Sequence, residues 1–112
     1  MEFVIKIEND WTLKLYNLIK ESNFPFIYVD GPYGRTIINW EDEIFDYFLF
    51  IAGGIGVTPL VSITKNLLTQ SNSGRKIKKI NFFHTARNKT LRYLVDDLHN
   101  LDNKEILHTE VV

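Results

Sequence analysis

The second half of the chain alternates between short apolar runs and segments with helical periodicity. The run "YFLFIA" at residues 47 to 52 has no polar alternation, which is typical of a strand covered on both faces of a sheet. "IKKINFFHTA" at residues 77 to 86 predicts a second strand, and "EILHTEVV" at the end predicts a third. Helices are predicted between them, over residues 59–70 and 90–101. The second helix is predicted from a regular spacing of apolar residues along one face, formed by Leu91, Leu94, Val95, Leu98 and Leu101.

Strands and helices in alternation indicate βαβ units, which require a parallel sheet with right-handed crossovers. The predicted fold class is α/β, a partial Rossmann-like doubly wound parallel sheet. In such a sheet the strand near residue 80 and the last strand lie on the same side of the 47–52 strand, in the order 3-2-1.

The first 35 residues follow a different pattern. "FVIKIEN" predicts a strand, and "FPFIYVDGPYG" at residues 24 to 34 predicts a strand that runs into a turn. Between them, Trp11, Leu15, Leu18 and Ile19 mark one face of a short helix. We interpret residues 1–35 as the tail of one domain and residues 47–112 as the first half of another, with a boundary near residues 36 to 46.

Composition and charge narrow the range of functions. The 112 residues carry a formal net charge of −1 and no cysteine, which gives no sign of nucleic-acid binding and excludes disulfides and thiolate metal sites. No His/Asp/Glu cluster has metal-ligand spacing and no G-x-S-x-G elbow is present, so neither a metal site nor a hydrolase is predicted. The N-terminus lacks the features of a signal peptide, and the apolar run after residue 47 is too short and too interrupted to span a membrane.

Three glycines stand where the first apolar run meets the following helix. In the G-x-G-x-x-P pattern of Gly54, Gly56 and Pro59, glycine permits positive φ and the close approach of a ligand to the backbone. Thr58 is predicted to cap a helix that begins at Pro59, and the N-terminus of that helix favours an anion. A dinucleotide pyrophosphate is the usual occupant, although a buried turn with no ligand accounts for the same pattern.

The end of the second predicted strand adds a cation. An adenosine ribose bound at the glycine turn would lie there, and NADP calls for an arginine at that place where NAD calls for a carboxylate. "FFHTARNKT" carries Arg87 and no acidic residue, which favours NADP, while a solvated loop cation remains the alternative. His84 is interpreted as a packed strand residue rather than a catalytic base, because no carboxylate or nucleophile is near it in sequence.

The combination of "DGPYG", "IAGGIGVTPLVSI" and "FFHTARN" resembles the C-terminal cytoplasmic half of the NADPH oxidase and ferric reductase families. These families belong to the ferredoxin–NADP reductase superfamily, and "DWTLKLYNLI" at residues 10 to 19 resembles the end of their flavin-binding barrel. The resemblance implies a junction between the flavin and nucleotide domains at Asp30, Gly31, Pro32, Tyr33 and Gly34. It implies a nucleotide loop at Gly53, Gly54, Ile55, Gly56, Val57, Thr58 and Pro59, with Arg87 at the 2′-phosphate.

The function implied by this resemblance is hydride transfer from NADPH, favoured over NADH, to FAD. Single electrons then pass through haem to oxygen or to ferric iron. The partners are the FAD-binding and transmembrane haem domains of a parent membrane protein, with this region on the cytoplasmic side. No catalytic side chain is predicted, since hydride transfer needs no acid–base group.

The family's His-Pro-Phe-Thr flavin motif and its later Cys-Gly-Pro segment are both missing from the 112 residues. We therefore expect a piece of the parent enzyme that neither oxidises NADPH nor holds FAD tightly by itself. The alternative is a non-catalytic nucleotide-binding module with a regulatory or interaction role.

Overall fold

The computed structural model describes residues 2–21, 26–36, 38–87 and 89–112. The chain divides into two compact units, Met1–Ile38 and Asn39–Val112.

The described part of the first unit contains one helix, α1, at Asp10–Glu21. Its existence confirms the prediction made from the apolar spacing of this segment. Asn9 and Thr12 cap it reciprocally: Asn9 Oδ1 accepts a hydrogen bond from the Thr12 N–H at 2.9 Å, and Thr12 Oγ1 accepts one from the Asn9 N–H at 3.0 Å. This exchange satisfies donors that the first turn of a helix leaves without partners.

The prediction of two strands in the first unit is wrong for the described residues. Residues 2–8 and 26–36 have no regular secondary structure, while residues 24 and 25 of the second predicted strand lie outside the described part. Apolar side chains of these segments stand in solvent, with Phe26 97% exposed and Tyr28 fully exposed. The physical reason is that a strand needs a partner for its backbone hydrogen bonds, and the described part of this unit offers none.

The second unit is built on three parallel strands, β1 at Tyr47–Gly53, β2 at Lys79–Thr85 and β3 at Leu107–Val111. The sheet order is β1-β2-β3, with β2 hydrogen-bonded to both neighbours. This confirms the parallel sheet and the 3-2-1 order expected from the sequence, and it agrees with a partial Rossmann-like α/β fold.

Two helical segments connect the strands. Helix α2 spans Val57–Asn72, two residues longer at each end than predicted, and Gly74 with φ 115° follows its C-terminal end. The second connection is helical over residues 89–101, but only α3, Arg92–Asp96, is α-helical. Short 3₁₀ turns at Lys89–Leu91 and Asp97–Leu101 flank it. The predicted second helix is thus confirmed in place and corrected in type, since 3₁₀ geometry commonly begins and ends short helices.

The core lies between one face of the sheet and the helices. Ile80, Phe82 and His84 alternate along β2 and are almost fully buried, as are Val57 and Leu67 of α2. The opposite face of the sheet is open along β1, where Tyr47, Leu49 and Ile51 are each more than 60% exposed. The expectation of a strand covered on both faces is therefore wrong in this chain, because the described helices cover one face.

Candidate functional site

A glycine turn joins the carboxyl end of β1 to the N-terminus of α2. Gly53 is the last residue of β1, and the next three residues, Gly54–Gly56, form a single 3₁₀ turn. The chain passes from the turn directly into α2 at Val57. The first N–H groups of a helix have no partner within it, and its dipole is positive at this end, so the turn lies where an anion is favoured.

The three glycines of the turn have different backbone requirements. Gly54 has φ 51°, a left-handed conformation that favours glycine. Gly53 is extended, with φ −112° and ψ 128°. Gly56 has φ −61° and ψ −6°, which any residue adopts. Backbone geometry alone therefore explains glycine at one of the three positions.

The space around the turn gives a reason for the other two. A Cβ added at Gly53, Gly54 or Gly56 would meet no heavy atom of the described chain within 4 Å. Internal packing therefore does not demand glycine at Gly53 or Gly56. A turn with no side chains over open space leaves the backbone free to approach a phosphate closely, so the residues present fit a dinucleotide pyrophosphate.

The structure corrects the predicted role of Thr58. The residue that precedes α2 is Gly56, with no side-chain cap, and the helix begins at Val57 rather than at Pro59. The Val57 N–H donates to the carbonyl of Gly54, so the 3₁₀ turn continues into the helix and leaves no capping position for a side chain. Thr58 Oγ1 instead donates to the carbonyl oxygen of Ile55 at 3.2 Å and braces the turn.

Arg87 lies at the same edge of the sheet as the glycine turn. Gly53 and Thr85 are register partners at the carboxyl ends of β1 and β2, and Arg87 follows Thr85 by two residues. Its side chain is exposed, and within the described residues the guanidinium has no hydrogen-bond or ion-pair partner. Lys89 is also exposed, at the start of the following 3₁₀ turn. Two exposed cationic side chains that make no hydrogen bond or ion pair with the described residues could bind a phosphate group.

His84 has a contact with the glycine turn that sequence reasoning missed. It is 1% exposed, which confirms that it is a packed strand residue. Its Nε2 lies 3.1 Å from the carbonyl oxygen of Gly54. The period-2 alternation of β2 places His84 on the buried face with Ile80 and Phe82, but no sequence signal reveals its partner on another element.

The segment Asp30 to Gly34 belongs to the first unit and is exposed. Two of its residues are left-handed glycines, Gly31 with φ 139° and Gly34 with φ 95°, and the Gly31–Pro32 peptide is cis. A hydrogen bond with the carboxylate of Asp30 raises the pKa of Tyr33 above its ordinary value of 10.0. These five residues have no regular secondary structure, and their role at a domain junction stays a prediction.

The described ranges contain neither a metal-binding cluster nor a helix suited to crossing a membrane. No group of three or more His, Cys, Asp or Glu residues there is arranged to hold a metal ion. None of the helices in those ranges combines the length and the apolar character that crossing a membrane demands.

Comparison with known proteins identifies a family for the second unit and relatives that match most of the chain. The family model described as "Ferric reductase NAD binding domain" matches residues 45–111. Dual oxidase 2 of Sus scrofa is 29% identical over 117 residues, covering 96% of this chain. NADPH oxidase 4 of Homo sapiens is 32% identical over 116 residues, covering 89% of this chain. Ferric reduction oxidase 8 of Arabidopsis thaliana, a mitochondrial protein by its name, is 35% identical over 78 residues, covering 63% of this chain.

The relatives are much longer than the chain. The matched region is 7% of dual oxidase 2, 19% of NADPH oxidase 4 and 10% of ferric reduction oxidase 8. By their names all three are oxidoreductases.

Proposed function

Because the chain belongs to the ferric reductase NAD-binding domain family, we propose that its second unit binds NADPH within a flavin-dependent oxidoreductase. The observation that carries the proposal is the open glycine turn at the carboxyl edge of the sheet. Gly53 and Gly56 have ordinary backbone angles and free space where a Cβ would stand, so a bound ligand is the remaining reason for glycine there.

The turn and the start of α2 hold the pyrophosphate. Gly53, Gly54 and Gly56 let the backbone approach the phosphate oxygens, and the N–H groups that open the 3₁₀ turn, which have no partner within it, donate to them. Val57 anchors the turn in the core, where it is fully buried, and Thr58 lies near the nicotinamide ribose and ring. Ile55 and Pro59 complete the loop, with Pro59 at a helix position that needs no N–H donor.

Arg87 selects the cofactor by pairing with the 2′-phosphate of NADPH, and Lys89 helps to neutralise the negative charge of that phosphate. The planar guanidinium offers two parallel donors to the oxygens of this phosphate. NADH has no phosphate at this position. The side chain makes no other pair among the described residues, so binding the phosphate breaks no contact of the fold.

The larger protein supplies the redox partners. We propose that residues 1–35 are the tail of an FAD-binding domain and that Asp30, Gly31, Pro32, Tyr33 and Gly34 form its junction with the nucleotide domain. When bound, NADPH supplies the hydride that reduces FAD, and electrons continue through haem to oxygen or ferric iron. Residues 1–112 then lie on the cytoplasmic side of a membrane protein. The chain's own residues bind and orient the nucleotide, and none of them transfers a proton.

Anaerobic titration of the full-length protein with NADPH tests this function. Loss of the oxidised-flavin absorbance on addition of NADPH, with a weaker response to NADH, is the expected result. A protein that binds NADPH without reducing a flavin would instead be a regulatory nucleotide-binding module. A full-length protein that shows neither binding nor flavin reduction would refute the proposal.

A further inference from the structure

His84 connects the interior of β2 to the glycine turn. Its register partner in the sheet is Ala52, one residue before the turn begins at Gly53. The imidazole reaches past that pair to Gly54, with 3.1 Å between Nε2 and the carbonyl oxygen. The imidazole is 1% exposed, while its partner Gly54 is half-buried.

The chemistry of this contact settles which nitrogen carries the proton. A carbonyl oxygen only accepts hydrogen bonds, so Nε2 must be the donor and the neutral ring has its proton on Nε2. The other nitrogen, Nδ1, is then an acceptor, and it is buried without a partner in the described structure. A buried polar atom without a partner costs about 1–3 kcal/mol. For the stability of the fold, an apolar side chain at this position would serve at least as well.

The fold also does not depend on this donor to satisfy Gly54. The same carbonyl already accepts a hydrogen bond from the Val57 N–H. The histidine adds a second bond to a carbonyl oxygen that has two lone pairs, so both directions of that oxygen are fixed. The second bond further restricts the orientation of the Gly54–Ile55 peptide plane.

That orientation matters because the two polar groups of a trans peptide point in opposite directions. With the Gly54 carbonyl drawn inward to His84, the Ile55 N–H is directed away from the core. We infer that His84 is a positioning residue of the nucleotide site, which holds the left-handed Gly54 peptide so that the Ile55 N–H faces the ligand phosphate. This inference rests on the proposed function, and it assigns a role to a histidine that touches no ligand itself.

Two substitutions of His84 in the full-length protein separate this role from a purely structural one. His84→Leu removes the donor and the orphaned nitrogen together, so the protein keeps or gains thermal stability while the Kd for NADPH rises about two- to tenfold. His84→Gln places an amide N–H four bonds from Cα, as Nε2 is in histidine, and restores the affinity. His99→Leu is the control, since that exposed imidazole bonds Thr109 Oγ1 at 2.8 Å and should leave the affinity unchanged.

If His84→Leu does not fold, the comparison of His84→Gln with His84→Asn decides the question. The asparagine amide is one bond shorter and cannot reach Gly54, so only the glutamine variant should bind NADPH as the unaltered protein does. Equal affinities in the two variants would overturn the inference. So would an unchanged NADPH affinity in a folded His84→Leu variant.

Nitrogen NMR of the 112-residue chain tests the geometry without any nucleotide. The imidazole signals of His84 should show a protonated Nε2 and a bare Nδ1, and the Ile55 amide signal should move in His84→Leu but not in His84→Gln. A proton on Nδ1 would overturn the inference. A protein that passes these tests but does not bind NADPH would refute the proposed function and leave the positioning of the peptide established.

Discussion

Gly53 and Thr85 lie directly opposite each other at the carboxyl ends of two parallel strands. This pairing brings the glycine turn after β1 and the segment after β2 to one edge of the sheet, although Gly53 and Thr85 are 32 positions apart in the sequence. Arg87, two residues beyond Thr85, therefore lies at the edge where a nucleotide bound at the turn would place its ribose.

Arg87→Ala should change the choice of cofactor. In the full-length protein the Michaelis constant for NADPH should rise about ten- to a hundredfold, since a hydrogen bond to a charged group contributes about 1.5–3 kcal/mol. The constant for NADH should stay nearly unchanged, because the two cofactors differ only by the 2′-phosphate. Steady-state kinetics with both cofactors measure this, and Lys89→Ala should show a smaller effect of the same kind.

Arg92→Ala is the matched control for that substitution. Arg92 is an exposed arginine nearby in sequence, paired with Asp96 at 3.4 Å within α3, and its loss should alter neither constant. Equal increases for NADPH and NADH in Arg87→Ala would show that Arg87 maintains the loop rather than recognising a phosphate.

An ion pair beside the start of the sheet makes stability depend on pH. The hydrogen bond with Lys78, 2.7 Å from Asp46, lowers the pKa of Asp46 below its ordinary value of 3.8. A lowered folded-state pKa gives stability that is present above pH 3.8 and is lost as the pH falls through the folded value. Asp46→Asn should therefore flatten the acid limb of the stability curve, with only a small loss at neutral pH because the pair is exposed.

Urea denaturation between pH 2 and 7 at low and high salt would measure this effect, with about 1 M salt removing most of it. Glu43→Gln, an exposed carboxylate close by in sequence, is the control. An acid limb in Asp46→Asn as steep as in the unaltered chain would show that other carboxylates cause the loss.

The sheet could be predicted from sequence because each strand has a local signature. The uncharged run at β1, the aromatic run at β2 and the helical spacing between them are properties of neighbouring residues, and the parallel order follows from the connections. The glycine turn was located for the same reason, since three glycines between a strand and a helix form a local pattern. The position of Arg87 at this edge could be predicted because it lies two residues beyond a strand end, while its role stays a prediction.

The parts that failed depend on residues distant in sequence. The apolar alternation of residues 3–9 is that of a strand, but pairing needs a neighbour that the described part of the first unit does not provide. Thr58 has the right residue type for a cap, but the preceding 3₁₀ turn satisfies the backbone first. The bond between His84 and Gly54 joins residues 30 positions apart, which no local pattern reveals.

Removing the half-buried Arg75 should lower the free energy of unfolding more than removing any other arginine. Its guanidinium donates to the carbonyl oxygens of Trp40 and Asp42 at 3.0 and 2.8 Å and to Gln70 Oε1 at 2.6 Å. Arg75→Ala leaves these acceptors without that donor and frees the segment before β1, so the free energy of unfolding should fall by about 2–3 kcal/mol. Arg75→Lys should recover only part, because a single ammonium cannot reproduce the planar fork.

Urea denaturation of the 112-residue chain measures this loss, and limited proteolysis reports whether residues 40–45 become accessible. Arg92→Ala should change the unfolding free energy by less than about 0.5 kcal/mol, as an exposed pair does. A loss in Arg75→Ala no larger than in Arg92→Ala would mean that the segment before β1 is held by other contacts.

Two glycines at opposite ends of α2 should separate binding from folding. Gly56, before the helix, has φ −61° and open space for a Cβ, so Gly56→Ala should leave stability unchanged or slightly improved. Under the proposed function a methyl group there would stand where the pyrophosphate approaches, so the Kd for NADPH in the full-length protein should rise at least tenfold. Gly74, after the helix, has φ 115°, so Gly74→Ala should cost about 1–3 kcal/mol of stability and leave the affinity unchanged.

Thermal unfolding and NADPH titration of both variants complete the comparison, with Gly54→Ala expected to lose both properties because its φ is 51°. Opposite responses of Gly56→Ala and Gly74→Ala are expected if the ligand requires glycine at the first position and the backbone angle requires it at the second. If Gly56→Ala binds NADPH normally, the free space over the turn is not occupied by the nucleotide. The pyrophosphate would then have to lie elsewhere, and the turn would be a structural feature of the β1–α2 connection.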